Sequence, residues 1–384
     1  MQQNKDRIQT THVGSLPRPH DLLDLMKAKI AAGGKAPAGY NASIKKAVTE
    51  SVHRQAETGI DIVADGEMSK PGFFSYVAER LAGFEARPNE KRISFEAERN
   101  AFPEYYEEYF KQAMLGGSIA PTVPMVCTGP IAYRGQAAVA RDIANLKTAM
   151  TAAGAKTAFM PSVAPAGVGR NEYYKSDEEF FFAAAAALHE EYQAIVDAGL
   201  LLQVDDPFLT DRFVDPRLDD RQRAARAELY VASINVALQG IAPEQVRFHT
   251  CYGINEGPRI HEAALSDVVG YMLKVKAGSY SFEAANPRHE HEYHLWESVK
   301  LPKDKVLIPG VITHASNIVE HPELIAERLT RFARLVGREN VIAGADCGFS
   351  SQASYHTEVH PTVVWAKFEA MREGAALASK GLWG

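Results

Sequence analysis

Cysteine is scarce in this chain, with three residues in 384, too few and too scattered for a disulfide framework. That usage suits a reducing compartment, so a cytoplasmic location is expected. Long apolar runs are missing too. No stretch approaches the roughly 18–20 apolar residues that a membrane-spanning helix needs, and the opening MQQNKDRIQTTHVGSLPRP has no apolar core of the secretory kind. Nor is there a basic cluster. The 42 Lys and Arg against 48 Asp and Glu leave a formal charge of -6, which argues against nucleic acid as a partner. No repeat, low-complexity tract or Pro/Gly-rich linker divides the sequence, so one elaborated domain over 1–384 is expected.

What is present is alternation. Short β-like stretches fall at 10–15, 60–67, 124–129, 156–162, 200–205, 245–251, 279–284, 306–311 and 340–346, and amphipathic helical patterns at 43–57, 137–153, 177–198, 221–238, 322–336 and 362–377. In the segment SDEEFFFAAAAALHEEYQAIVDAG, Ser176 is the expected N-cap and Gly199 the C-cap. Strand–helix alternation over a whole chain implies a parallel sheet, and eight such units close a (β/α)8 TIM barrel. Nine strand candidates compete for eight places. The surplus one is assigned to 124–129, outside the barrel, after a charge- and tyrosine-rich helical insertion at 84–120 that lacks a strand.

Chemistry in such a barrel gathers at the C-terminal ends of the strands. Those positions carry Ser15, Glu67, Asp205, His249, Cys251, Glu283 and Cys347. His249 and Cys251 lie two apart and share a face. With Glu283, 32 positions beyond Cys251, and Cys347, 64 beyond Glu283, they form a candidate set for Zn2+, which suits thiolate and imidazole donors better than Mg2+ or Ca2+ would. A single Cys or His at a strand end also serves as packing, the role given to Cys127, and Glu283 could equally pair with Arg288. The pattern leaves both readings open.

These residues, together with TTHVGSLPRP, DGE (65–67), LQVDDP (202–207), HTCYG (249–253), YSFEA (280–284), PGVITHASNIVEHPE (309–323) and DCG (346–348), resemble the catalytic C-terminal half of the cobalamin-independent methionine synthase family, over nearly the whole chain. The resemblance implies a zinc site of His249, Cys251, Glu283 and Cys347, and zinc-activated attack by a thiol, homocysteine, on an alkyl donor. It implies that Glu67 and Asp205 hold the acceptor's ammonium and that the turn carrying Ser15 holds its carboxylate. Asp205 pairing with Arg212, or Ser15 as a mere turn cap, are the alternatives.

The chain also departs from that family. No part of these 384 residues supplies the second, N-terminal barrel that helps bind a polyglutamyl folate. The loop VAPAGVGRNEYY has no tryptophan where the family stacks folate; Tyr173 or Tyr174 could take that place. The family's proton-donating histidine sits in a D-x-H-S segment, and His314 in ITHASN, the candidate general acid, is one position off. The alternative activity is therefore a zinc-dependent transfer to another thiol or from another electrophile, as in epoxyalkane:coenzyme M or corrinoid-dependent relatives. A uroporphyrinogen-type decarboxylase would need arginines rather than these ligands, and a purely structural zinc would lie away from the barrel mouth. The insertion FPEYYEEYF suits a cover over the mouth or a contact between subunits; homo-oligomerisation is left open.

Overall fold

The computed structural model describes residues 3–90, 95–112, 117–120, 123–253 and 256–384. In chain order its strands are β1 (Ile62–Ala64), β2 (Leu81–Ala86), β3 (Met125–Tyr133), β4 (Thr157–Val163), β5 (Arg170–Asn171), β6 (Leu201–Asp205), β7 (Val246–His249), β8 (Ser279–Phe282), β9 (Val306–Ile312) and β10 (Gly344–Ala345). Seven of them form one parallel sheet in the order β1-β4-β6-β7-β8-β9-β10. These strands are buried on both faces, which is why VLIPGVI reads as a continuous apolar run rather than an alternating one.

The sheet closes through the chain's first segment. Thr11 bridges Ile62 and Thr10 bridges Ala343, while Leu307 bridges Val341. Thr11 donates its N–H to Ala343 O at 2.8 Å, and Ala343 donates back to Gln9 O at 2.9 Å. An eighth stave therefore completes the barrel, but it is shorter than the stretch 10–15 expected from sequence. The reason is Gly14, at φ +132, where a Cβ would lie 2.6 Å from Pro161 Cγ. The chain has to leave the ladder there to approach β4 so closely. The expected strand 60–67 is likewise cut to β1, because Gly66 and Glu67 turn in the left-handed region at φ 69 and 57. Asp65 Oδ1 accepts the Glu67 N–H at 2.9 Å and holds that turn.

Inside the barrel, Ile62, Ala64, Phe159, Val306, Ile308 and Ile342 make a separate apolar plug. Arg247 lies across it, 3.7 Å above the Phe159 ring, donating to Thr11 Oγ1 at 2.9 Å and His12 O at 2.8 Å. Alternation along β7 then puts His249 on the same inward face as Arg247, one step nearer the mouth.

Helices cover the outside, each with an identifiable start. Ser176 Oγ accepts the Glu179 N–H at 3.1 Å and begins the helix Asp177–Asp197. Gly199, at φ 80, stands one residue past its Ala198 cap. Among the described residues no helix is long and apolar enough to cross a membrane.

The surplus strand does lie outside the barrel. β3 pairs antiparallel with β2 and parallel with β5 in a small second sheet. The insertion was expected to lack a strand, yet β2 runs to Ala86. Its apolar alternation is broken at Gly83, where a Cβ would meet Pro130 O at 2.5 Å and where the register shifts, so the strand leaves little periodic trace. The rest of the insertion supplies helices at Glu96–Ala101 and Pro103–Gln112. Behind this sheet is a buried ionic network. Arg80 donates to Glu191 Oε2 at 2.8 Å and to Asp142 Oδ2 at 2.6 Å, and Tyr76, Tyr133 and Ser162 also donate to Glu191.

Candidate active site

Six of the eight residues singled out from sequence line one cleft at the barrel mouth: Ser15, Glu67, Asp205, His249, Cys251 and Cys347. They arrive from five different staves, brought together only by closure of the sheet. The cleft encloses about 1140 Å³ of space, counting its open entrance.

At its floor the ligand atoms of His249, Cys251 and Cys347 lie within 4.8 Å of one another, all buried. The two sulfurs are 3.3 Å apart. His249 Nδ1 is hydrogen-bonded to Ser281 Oγ at 3.0 Å, which leaves Nε2 buried and without a partner. A second-row bond on one nitrogen and a bare lone pair on the other is how a ligating imidazole is oriented. The bond from Cys347, burial and the charge of nearby Glu283 all push the Cys251 thiol up. Two thiols packed this way favour a cation that can take them as thiolates. The donor set therefore fits zinc.

Glu283, the expected fourth member, is not brought into this trio. Its Oε1 accepts the Tyr252 N–H at 3.0 Å, and its Oε2 accepts from Arg259 and Asn286, both at 2.7 Å. It clusters instead with His314 and Asp346, again with ligand atoms within 4.8 Å. Arg288, the alternative partner, donates to Arg259 O instead. His314 does not line the cleft. It is buried, neither ring nitrogen makes a hydrogen bond of normal geometry, and burial, then the Arg259 charge, lowers its pKa to about 4. Burial thus favours its neutral imidazole over the imidazolium.

The acidic wall is unfinished in its hydrogen bonding. Glu67 Oε2 is buried with no partner. Asp205 accepts one bond, from Gln203 at 2.9 Å, and its pKa is raised by burial and then by the charge of Glu67. Arg212 pairs with Asp215 at 3.2 Å, leaving Asp205 to the cleft. Two buried carboxylates that repel each other across one cleft favour a cationic group between them. Ser15 is placed by the last stave's loop. Phe349 donates its N–H to Ser15 O at 3.0 Å, Ser15 Oγ lies 3.4 Å from Ser351 Oγ, and a Cβ on Gly348 would fall 2.0 Å from Ser15 Oγ.

Several residues that line or brace the cleft escaped sequence reasoning. Buried Arg18 donates to Glu67 O at 2.9 Å and Ser350 O at 2.8 Å, locking the acidic turn to the serine loop. It lies inside the SLPRP motif, but no strand periodicity flags it. Phe73, Phe74 and Phe208 form an aromatic wall on the cleft, and Phe95 reaches it from the insertion. The Phe95 ring comes 3.2 Å from where a Gly253 Cβ would stand. Tyr109 hydrogen-bonds Glu358, and Glu98 accepts the His261 N–H at 2.6 Å, so the insertion lies across the mouth as a cover. Tyr173 and Tyr174 are not on the cleft. Tyr173 is 50% exposed, and Tyr174 OH accepts the Ile131 N–H at 3.0 Å beside the second sheet.

Residues 8–367 match the family model described as cobalamin-independent synthase, catalytic domain. The methionine synthase of Sulfolobus acidocaldarius is 25% identical over 347 residues, 89% of this chain and 85% of that protein. The 5-methyltetrahydropteroyltriglutamate–homocysteine methyltransferase of Streptomyces avermitilis is 24% identical over 90% of this chain, which spans only 40% of that protein. Among solved structures, a B12-independent methionine synthase from a Shewanella species superposes with a TM-score of 0.74 at 20% identity, covering 98% of this chain and 99% of that one.

Proposed function

Because the chain belongs to the cobalamin-independent methionine synthase family, we propose that it transfers a methyl group to the sulfur of homocysteine and does so with zinc. The observation that carries this reading is the convergence of His249, Cys251 and Cys347 with Glu67, Asp205 and Ser15 on one cleft.

His249, Cys251 and Cys347 would hold the zinc, which when bound supplies the Lewis acidity that keeps a thiol ionised near neutral pH. Ser281 holds the His249 ring through Nδ1, which leaves Nε2 free to ligate. Glu283 stands next to this trio, and joining it requires giving up a bond from Arg259 or Asn286. Glu67 and Asp205 bind the acceptor's ammonium, an ion pair that also relieves their mutual repulsion. The turn at Ser15, braced by the Phe349 N–H, takes the acceptor's carboxylate. An acceptor held at both ends of its amino-acid moiety presents its side-chain sulfur in one orientation. Coenzyme M, with a sulfonate and no ammonium, leaves Glu67 and Asp205 unpaired, so homocysteine is the better fit.

The test is a metal assay with a thiol-consumption assay. About one zinc per chain and preferential consumption of homocysteine over coenzyme M and glutathione are expected. Protein that takes up no zinc, or that consumes coenzyme M in preference, overturns the reading.

A further inference from the structure

The loops that shape the acceptor's end of the cleft come from three staves and lie past the ladder that joins those staves. The first stave pairs at Thr10 and Thr11, β1 ends at Ala64 and β10 at Ala345. Ser15, Glu67 and the serine loop at 348–351 line the cleft beyond those ends. They must nevertheless keep fixed distances, because the ammonium and carboxylate of an amino acid sit on one carbon. If one anchor drifts, an acceptor gripped by the other no longer reaches it.

One side chain spans the gap. Arg18 is 4% exposed and donates from Nη1 to Ser350 O at 2.8 Å and Ser350 Oγ at 3.1 Å, and from Nη2 to Glu67 O at 2.9 Å. A single fork therefore ties the acidic turn to the serine loop, and it grows from the segment that carries Ser15. That segment is stiffened on both sides of the arginine by Pro17 and Pro19, each of which fixes its own φ and restricts the residue before it. Leu16 adds a bond from its N–H to Gly66 O at 3.1 Å. The turn it meets holds Glu67 in left-handed backbone at φ 57, a conformation that persists only where the surroundings enforce it.

Arg18 is costly as mere filling. Burial lowers its pKa, against the charges of Glu67 and Asp65, and its Nε is buried without a partner. Its bonds go to two carbonyls and a hydroxyl, unlike those of Arg80, which pair with Glu191 and Asp142. An apolar side chain would fill the same volume without that desolvation. It could not join main-chain oxygens of two separate loops at one planar group. From this we infer that Arg18 is a positioning residue for the acceptor, making the ammonium and carboxylate anchors one rigid unit. The inference rests on the homocysteine reading of the cleft.

The experiment is calorimetric binding to the zinc-loaded full chain, which needs no methyl donor. Three thiols are compared: homocysteine, 3-aminopropane-1-thiol, which keeps the ammonium alone, and 4-sulfanylbutanoate, which keeps the carboxylate alone. The unaltered chain should bind homocysteine roughly 100-fold more tightly than either truncated thiol. Arg18→Lys keeps a cation but loses the fork, and Arg18→Met loses both. Each should cost homocysteine roughly 10- to 100-fold in affinity and the truncated thiols about threefold or less, because the coupling between the anchors is what disappears. Zinc content should hold. A merely structural role would weaken all three thiols alike and lower Tm; that result, or an unchanged homocysteine affinity in Arg18→Lys, overturns the proposal. Should Arg18→Met fail to fold, Arg18→Lys makes the same comparison. An unaltered chain that binds the three thiols equally removes the homocysteine reading itself, and the bridge falls with it.

Discussion

Glu191 and Glu67 are both almost fully buried, at 1% and 2% exposure, yet they live in opposite surroundings. Glu191 receives Tyr76 and Ser162 on one oxygen and Arg80 and Tyr133 on the other. Burial alone would push its carboxyl up, but the charge of Arg80, that of Lys70 and these bonds hold it at about 2. Glu67 has an oxygen with no partner and a second buried acid, Asp205, raised by its presence. A fold finishes the hydrogen bonding of the charges it buries for its own support. Where it leaves one unfinished at a cleft, the missing partner comes from outside.

The contrast breaks most sharply at the candidate metal trio of His249, Cys251 and Cys347. Cys251→Ala or Cys347→Ala should remove zinc and cut methyl transfer by about a thousandfold or more, with circular dichroism still reporting a folded barrel. A variant that keeps full zinc and full rate would show that these thiols are packing. On the structural side, Arg80→Met strands Glu191 and Asp142 and should cost about 3–5 kcal/mol in denaturant unfolding, with kcat of the folded fraction nearly unchanged. A collapse of kcat with normal stability would erase the distinction between the two regions.

Acid titration separates them next. The Glu191 carboxyl sits below its ordinary value of 4.5 when folded. Its contribution is therefore fully present above about pH 4.5 and lost as pH falls towards 2, about 3 kcal/mol over that window. Glu191→Gln should flatten that part of the stability–pH curve; an unchanged curve would mean the network is not what holds the carboxyl down. The smallest effect is at the unfinished acid. Glu67→Gln should raise the homocysteine KM by roughly 10- to 100-fold, and because it removes an unpaired buried charge it should leave Tm unchanged or higher. A lowered Tm with normal KM would make Glu67 a structural residue like Glu191.

The parallel barrel was legible because its staves are apolar runs spaced by capped helices, and the meeting of six chosen residues on one cleft because strand ends are the one place where position predicts direction. His249 and Cys251 needed only a period of two. Glu283 was placed correctly at the end of β8, but its orientation depends on Arg259, at φ 58 in a loop with no periodicity to read. The aromatic wall was hidden for a similar reason. Phe73 and Phe74 belong to the non-periodic PGFFSYV, and they meet Phe208 only through tertiary packing. β2 went unread because its partner lies some forty residues away across the insertion.

The Ser15 end of the cleft joins segments far apart along the chain. Ser15 and Arg18 meet their partners at Ser351 and Ser350 across 336 and 332 positions, and Phe349 joins them through its N–H. At translation speeds of about 5–20 residues per second the two are separated by tens of seconds, during which the opening stave has nothing to pair with on one side. A chain stalled short of residue 347 would hold most of a barrel without the Cys347 thiol or the serine loop, and the stave at Thr10–Thr11 would remain an open edge for chaperones to guard until Ala343 arrives to pair with it.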